Sequence, residues 1–273
     1  MWFQRVNLTC FAVHIVSSIV VLALGLEDSR VESYKLPVVT SYTTNGTVVT
    51  VGFAAAPLLP LVVIPGMISA VGHLVLAFSN DAPDIPSTGI NPMRWEDYSL
   101  SSAIMMVAIA LLCGVADLWQ LCGIALSQWF LMLCSGAVEA TQSALTTAQQ
   151  LWATLIMSAF YGVTVWGPVF YAFHANSPPD FVVAIVTTLF VLYGAFGVVY
   201  SMAIVRWFDA EKTEVLYATL SIVAKVTLQW LVYGGIAART NSGTTQALAI
   251  VVPVVLGGGA GVGAVFWNTA PGR

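Results

Sequence analysis

The chain has 273 residues, of which 58% are hydrophobic and 8% are charged. Ordinary soluble domains carry about 25% charged residues, so this composition excludes a disordered chain and argues against a soluble globular fold. The formal net charge of −4 excludes a broad basic surface for nucleic acid.

Long apolar runs follow one another along the chain, separated mostly by short polar segments. Their lengths are close to or above the roughly 20 residues that cross a bilayer. Because backbone groups in lipid must pair within their own segment, each run predicts a membrane helix. The eight runs are 8–26, 53–79, 95–114, 118–138, 147–173, 181–205, 214–237 and 246–267. The first run lacks a clear small-x-small cleavage site, which favours a membrane helix over a signal peptide.

The first loop, 27–52, is the longest connection between these runs. It alternates β-branched and polar residues on either side of "TTNGT" (43–47). Asn-Gly between two such stretches is typical of a hairpin with a two-residue turn. The loop therefore predicts a small β-hairpin outside the lipid.

The third and fourth runs meet at "CGVADLWQ" (113–120). Gly114 and Asp117 predict a tight turn between two helices, and Asp117 is interpreted as the cap of the fourth run or as a loop contact.

The last run, "ALAIVVPVVLGGGAGVGAVFW" (247–267), is long enough to span. Pro253 and the glycine cluster favour close packing over intrinsic helix strength. The sequence predicts an additional C-terminal hydrophobic helix here.

Basic residues in the loops predict the orientation, because Lys and Arg concentrate on the cytoplasmic side. A cytoplasmic N-terminus places Arg5, Arg94, Arg206 and Lys212 inside, and Arg30, Lys35 and Arg239 outside. Arg273 joins the inside set only if the eighth run spans. The bias predicts an N-terminus in the cytoplasm and an extracellular hairpin.

Chemical motifs for catalysis or metal binding are lacking. The four cysteines, Cys10, Cys113, Cys122 and Cys134, lie in apolar runs without metal-ligand spacing and are interpreted as buried thiols. No catalytic triad, zinc-protease motif or phosphate loop stands in a credible context. The sequence predicts neither an enzyme nor a metal site.

Lys225 is the basic residue that lies deep inside an apolar run. About 11 residues separate it from either end of the seventh run, or roughly 16 Å, which is too far for its side chain to reach water easily. A charge at the bilayer centre costs at least about 2.5–3.5 kcal/mol. Three explanations compete: a structural ion pair, a proton or ion site of a transporter, and an amine condensed with an aldehyde as a Schiff base.

A protonated Schiff base needs a carboxylate nearby, and Glu96 and Asp97 at the start of the third run are the best candidates. Adjacent residues point about 100° apart on a helix. Asp97 shares a face with Ser101 and Met105, which suit a hydroxyl that holds the counterion and an apolar contact to a chromophore. Glu96 is better placed to reach the headgroup edge. On the seventh run, Ser221 lies one turn before Lys225 and is expected to hydrogen-bond the Schiff base or its counterion.

Two long segments carry a resemblance to a known family. "NPMRWEDYSLSSAIMM" (91–106) resembles the third-helix signature of heliorhodopsins, and "EVLYATLSIVAKVTLQW" (214–230) resembles their seventh helix, which carries the retinal lysine. "CGVAD" (113–117), "FAVH" (11–14) and "SAVGH" (69–73) also match. The resemblance covers the first seven runs.

The resemblance implies all-trans retinal bound to Lys225 as a protonated Schiff base, a cytoplasmic N-terminus, a homodimer and a slow photocycle. Arg94, Trp95 and Tyr98 match the family position for position. The family's counterion glutamate falls on Asp97, which is one methylene shorter, so the alternative that Glu96 is the counterion stays open.

His14 and His73 are buried by sequence, and a lone buried histidine is usually a hydrogen-bonded core residue. With the resemblance, they are instead expected to form a proton network on the cytoplasmic side of Lys225. The network's other predicted members are Arg94, Tyr98 and Glu96. The predicted walls of the retinal pocket are Met105, Gln128, Leu131, Trp152, Trp166, Phe190, Tyr193 and Phe196.

These observations predict an all-α membrane protein: a seven-transmembrane-helix rhodopsin-like bundle with an extracellular β-hairpin and an extra C-terminal hydrophobic helix. Residues 1–240 form the retinal-binding membrane domain and 241–273 the C-terminal extension. The expected function is a light-sensing photoreceptor that signals to an unidentified downstream partner. A light-driven or light-gated proton transporter is the alternative, and a transporter that uses Lys225 without light is a third reading.

Overall fold

The computed structural model of the chain describes residues 2–79 and 85–238. In chain order its elements are α1 (Trp2–Glu27), α2 (Ser29–Glu32), β1 (Lys35–Thr44), β2 (Thr47–Pro57), α3 (Leu58–Phe78), α4 (Ile85–Thr88), α5 (Pro92–Cys113), α6 (Leu118–Ala140), α7 (Thr147–Tyr161), a π-helical turn (Gly162–Trp166), α8 (Gly167–Asn176), α9 (Asp180–Ile204) and α10 (Ala210–Ala238).

Seven helices in this part of the chain are long and apolar enough to cross a membrane. They are α1, α3, α5, α6, the continuous stretch from α7 to α8, α9 and α10. The predicted seven-helix bundle is therefore confirmed. The eighth run, 246–267, lies outside the described residues.

The centre of the bundle is occupied by α5 and α10. In their most apolar windows, 67% and 61% of the residues are buried, against 28% in α1, α6 and α9. Since lipid and not water surrounds such a bundle, burial identifies the helices that face other helices. The third and seventh runs, which carry the functional candidates, are thus the most enclosed.

Local signals decide where the central helices begin and end. α5 begins earlier than its apolar run because the Asn91 side chain accepts a hydrogen bond from Arg94 N (3.1 Å) and Pro92 occupies the first turn. It ends at Gly114, whose φ of 96° is easily adopted by glycine. Asp117 caps α6 by accepting from Trp119 N and Gln120 N, as the sequence predicted.

The predicted β-hairpin is confirmed. β1 and β2 pair antiparallel from Lys35↔Pro57 to Thr44↔Thr47, and the two turn residues, Asn45 and Gly46, both have positive φ (50° and 77°). β2 continues to Pro57, beyond the predicted loop, because its last residues pair with the start of β1. Apolarity alone had placed these residues in the second run.

The hairpin is joined to the turn between α5 and α6. Val39 N donates to Ala116 O at 2.9 Å, and Ser41 N donates to the Asp117 carboxylate at 3.2 Å. Asp117 therefore caps a helix and holds the hairpin at once.

Close packing between α1, α3 and α10 depends on Gly66. A Cβ atom there would lie 2.3 Å from Ser18 Oγ and 2.4 Å from Gln229 Nε2. The missing side chain lets Gln229 donate to Ser18 at 2.9 Å across the helix interface. This contact lies one turn beyond Lys225 on α10.

Candidate functional site

Lys225 lies in the middle of α10 and is 5% exposed. Its Nζ donates a hydrogen bond to Ser221 Oγ at 2.8 Å and lies 4.0 Å from Asp97 Oδ2. The ring of Tyr98 is 5.0 Å from the same nitrogen. One turn of helix separates Ser221 from Lys225, so both side chains reach the same space.

The Asp97 carboxylate is oriented by a residue that sequence reasoning missed. Ser69 Oγ on α3 donates to Asp97 Oδ1 at 2.6 Å. Ser101, predicted to hold this carboxylate, instead donates to the Asp97 main-chain oxygen at 2.7 Å. A serine inside a helix readily bonds to the carbonyl one turn earlier, which explains the difference.

Helical phase separates the two candidate counterions. Asp97 is 8% exposed and faces Lys225, whereas Glu96 is exposed. Two unit charges 4 Å apart attract by about 4 kcal/mol at the effective dielectric of about 20 that suits protein sites. This attraction is comparable with the insertion cost of about 2.5–3.5 kcal/mol for a lysine at the bilayer centre. Asp97 is therefore close enough to offset that cost.

The two predicted histidines form a stacked pair next to this site. The rings of His14 and His73 have centroids 5.6 Å apart and an interplanar angle of 14°. His73 Nδ1 lies 2.8 Å from Asn7 Oδ1, while neither ring nitrogen of His14 has a hydrogen-bond partner within the described residues. His73 and Asp97 line the same small cavity.

A cavity of about 360 Å³ extends from Lys225 between the helices. Ligand pockets for small molecules start at about 300 Å³ and are mostly apolar. The cavity walls include seven of the eight predicted wall residues: Met105, Gln128, Leu131, Trp166, Phe190, Tyr193 and Phe196. Trp152, also considered as a wall, is 65% exposed on the outside of the bundle.

Trp166 reaches the cavity at an irregular point of its helix. The π-helical turn Gly162–Trp166 precedes Pro168, which cannot donate a backbone hydrogen bond within the helix. Trp166 is 2% exposed, and its ring centroid lies 5.1 Å from that of Phe190 and 6.0 Å from that of Tyr193. An extra residue in one turn rotates the following side chains, so simple helical spacing does not predict which tryptophan faces inward.

These residues fit retinal. The polyene chain of retinal requires an apolar, aromatic pocket. Its aldehyde requires a side-chain amine that is free to condense with it. The cavity offers both, with Lys225 on its wall. The buried polar atoms that have no hydrogen-bond partner within the described residues include Gln128 Oε1, Tyr161 OH and Trp166 Nε1. Their residues also line the cavity.

A second charged group lies at the end of the bundle that carries the N-terminus. Arg94 forms ion pairs with Glu139 and Glu214, and all three side chains are at most 10% exposed. Neither glutamate is among the residues predicted for the site. Glu214 lies 11 residues before Lys225, or about three helix turns, so helical spacing alone indicated that it shares the lysine's face.

A family model described as Heliorhodopsin matches residues 3–237. No curated protein sequence matches the chain. Among solved structures, the chain is similar to a light-driven proton pump from Leptosphaeria maculans, with 13% identity and a TM-score of 0.64 over 86% of this chain and 96% of that one. It is also similar to cyanorhodopsin from the cyanobacterium Calothrix sp. NIES-2098, with 12% identity and a TM-score of 0.59 over 85% and 93%. At these identities the structural likeness shows the rhodopsin fold.

Proposed function

This chain belongs to the heliorhodopsin family, and from that premise we propose that it is a light-sensing photoreceptor with a signalling output. As a heliorhodopsin it is a multi-pass membrane protein that binds retinal and responds to light. The finer proposal is that all-trans retinal is bound to Lys225 as a protonated Schiff base. The observation that carries it is a buried amine, 4.0 Å from a carboxylate, on the wall of an aromatic cavity.

Retinal, when bound, supplies the absorption of visible light and an isomerisation that changes the position of the Lys225 nitrogen. The residues around that nitrogen then determine where its proton goes. Asp97 stabilises the positive charge in the dark, and Ser69 keeps its carboxylate oriented. Ser221 offers the nitrogen a hydroxyl oxygen as hydrogen-bond acceptor.

The apolar wall residues of the cavity are expected to limit the access of water to the rest of the chromophore. Met105 and Leu131 are 2% and 8% exposed, and aromatic side chains form a further part of the wall. Water therefore reaches the Lys225 nitrogen mainly through the polar groups near Asp97. We expect the proton to leave toward Asp97 and His73, which together line the small cavity next to the site.

A light-driven or light-gated proton transporter is the second candidate. Polar and charged side chains continue from Asp97 through His73 and Asn7 to Arg94, which favours proton movement toward the N-terminal end of the bundle. The similar structure from Leptosphaeria maculans is described as a light-driven proton pump, although its 13% identity carries no residue role to this chain.

Protein expressed with all-trans retinal is expected to show a visible absorption band that bleaches and recovers under illumination. The same membranes under voltage clamp are expected to give no stationary photocurrent if the output is a signal. A stationary photocurrent would favour the transporter instead, and a colourless protein would contradict both light-dependent functions.

The N-terminus is proposed to be cytoplasmic. Three exposed basic residues, Arg5, Arg206 and Lys212, lie at that end of the bundle, against Arg30 and Lys35 at the hairpin end. A tag on residue 1 is expected to be labelled only after the membrane is permeabilised, whereas a cysteine introduced at Thr44 in the hairpin is labelled in intact cells. Labelling of the N-terminal tag in intact cells would reverse the orientation.

The remaining expectations stay predictions. They are the homodimer, a downstream signalling partner, the division into residues 1–240 and 241–273, and the lack of enzymatic activity.

A further inference from the structure

The group around Arg94 carries an inference that rests on the proposed function and extends it. The Arg94 cluster consists of Asn91, Arg94, Glu139 and Glu214. Arg94 donates to one oxygen of each glutamate, Asn91 N donates to Glu139 Oε1 at 2.8 Å, and Asn91 Nδ2 donates to Glu214 Oε2 at 2.9 Å. The cluster joins the ends of α5, α6 and α10.

The charges of the Arg94 cluster do not balance. Two carboxylates share a single guanidinium, and the three side chains are 4%, 10% and 8% exposed. A buried charge without a full partner is strongly disfavoured in a low-dielectric interior. Asn91 and the N-terminal turn of α5 offset part of the excess negative charge. A proton on one glutamate would neutralise the remaining negative charge, so the cluster is suited to accept a proton.

A small cavity connects this cluster with the site at Lys225. It encloses about 30 Å³ and is lined by Asp97 and His73 on one side and by Arg94 and Glu214 on the other. One buried water needs at least about 10–15 Å³, so the cavity accommodates about two.

The polar atoms around this cavity require partners. His73 Nε2, Arg94 Nε and Tyr217 OH are buried and have no hydrogen-bond partner within the described residues. All three residues line the cavity. Water molecules there would satisfy them and would provide a continuous hydrogen-bonded path from Asp97 to Glu214.

We propose that Glu214 is the proton-accepting group of this photoreceptor and that the small cavity is the proton path to it. The proton leaves Nζ of Lys225, passes by Asp97 and His73 through water, and forms an O–H bond on the Glu214 carboxylate. The nitrogen becomes neutral, and the net charge of the Arg94 cluster changes from −1 to zero. Arg94 then keeps its ion pair with Glu139 and loses that with Glu214, which weakens the attachment of α10 to α5.

The ionisable groups around Glu214 come from several of the elements packed there. They are Arg94, Asp97 and Tyr98 on α5, Glu139 on α6, His73 on α3, Tyr200 on α9 and Tyr217 on α10 itself, while α1 adds the neutral side chain of Asn7. α4, which also packs against α10, contributes no ionisable residue. Of these groups, the two glutamates are the carboxylates that already contact a cation within hydrogen-bond distance.

Light-minus-dark infrared spectra test the proposal. A protonated buried carboxylic acid absorbs at higher frequency than a hydrated one, so wild-type pigment is expected to gain such a band after illumination. Glu214→Gln is expected to lose it. Glu211→Gln, on the same helix but bonded to Trp2 outside the cluster, is expected to keep it. A full-size band in Glu214→Gln would overturn the proposal.

Two further measurements keep the result decisive. If Glu214→Gln forms no pigment, Glu214→Asp must shift the band in frequency, and an unshifted band contradicts the proposal. In retinal-free protein, an acid titration followed in the infrared is expected to show a buried carboxyl band that Glu214→Gln lacks. If wild-type pigment were coloured and photoactive but gained no carboxyl band, Glu214 would not be the proton acceptor. The proposed photoreceptor function would be unaffected by that result.

Discussion

Replacing Lys225 with alanine is expected to abolish the visible pigment completely. The ε-amine of Lys225 is the amine that lines the large cavity, so without it no covalent bond to an aldehyde forms there. Membrane insertion is expected to persist, because removing a charge from the bilayer centre lowers the insertion cost by about 2.5–3.5 kcal/mol. The measurement is the absorption spectrum of membranes supplied with all-trans retinal, normalised to the amount of inserted protein.

Lys212→Ala is the matched control for this experiment. Lys212 lies on the same helix, but its side chain is 52% exposed and pairs with Asp209 at 2.7 Å. Exposed pairs of this kind contribute little to stability, about 0–1 kcal/mol. The control is therefore expected to keep normal colour. Normal colour in Lys225→Ala would end the proposal that this lysine binds retinal.

Neutralising Asp97 is expected to give the second largest effect. Asp97→Asn removes the carboxylate 4.0 Å from Lys225 Nζ and leaves a side chain of nearly the same shape. The lost attraction is about 4 kcal/mol. Since one pH unit corresponds to about 1.4 kcal/mol, the pH at which half of the pigment loses its visible band is expected to fall by up to about three units. Pigment that is still protonated is expected to absorb further to the red, because the positive charge is no longer held at the nitrogen end.

Glu96→Gln serves as the comparison because it changes the neighbouring acid on the same helix. Glu96 is exposed, so its field at Lys225 is screened and its removal is expected to shift the midpoint only slightly. A pH titration of the visible band in both variants decides between the two acids. A larger fall of the pH midpoint in Glu96→Gln than in Asp97→Asn would identify Glu96 as the counterion. A different face of α5 would then point toward Lys225.

Several features of this protein were determined by the sequence itself. Seven apolar runs long enough to span predict seven helices, because backbone groups in lipid have no partners except those within the helix. Asn45–Gly46 predicts the hairpin turn, and Asp117 predicts a helix cap, because both depend on neighbouring residues in the chain. The lysine inside the seventh run can also be recognised from the sequence, because the free energy of inserting it into the bilayer depends on its depth and its charge.

Helical phase also determined part of the site. Asp97 and Glu96 differ by one residue, and a rotation of about 100° per residue is sufficient to bury one and expose the other. The same rule placed Ser221 beside Lys225. It also applied to Glu214, three turns away, although the significance of that residue depends on a partner located elsewhere in the chain.

Only the tertiary structure decided which helices bring their side chains together. Ser69 and not Ser101 holds the Asp97 carboxylate, and Arg94 contacts Glu139 and Glu214, which lie 45 and 120 residues away in sequence. The side-chain period of a helix is local and can be read from the chain. The rotation and height at which two helices meet depend on the combined packing of many side chains. They also depend on irregularities such as the π-helical turn before Trp166 and on the missing side chain of Gly66. None of these is visible in the residue spacing of a single apolar run.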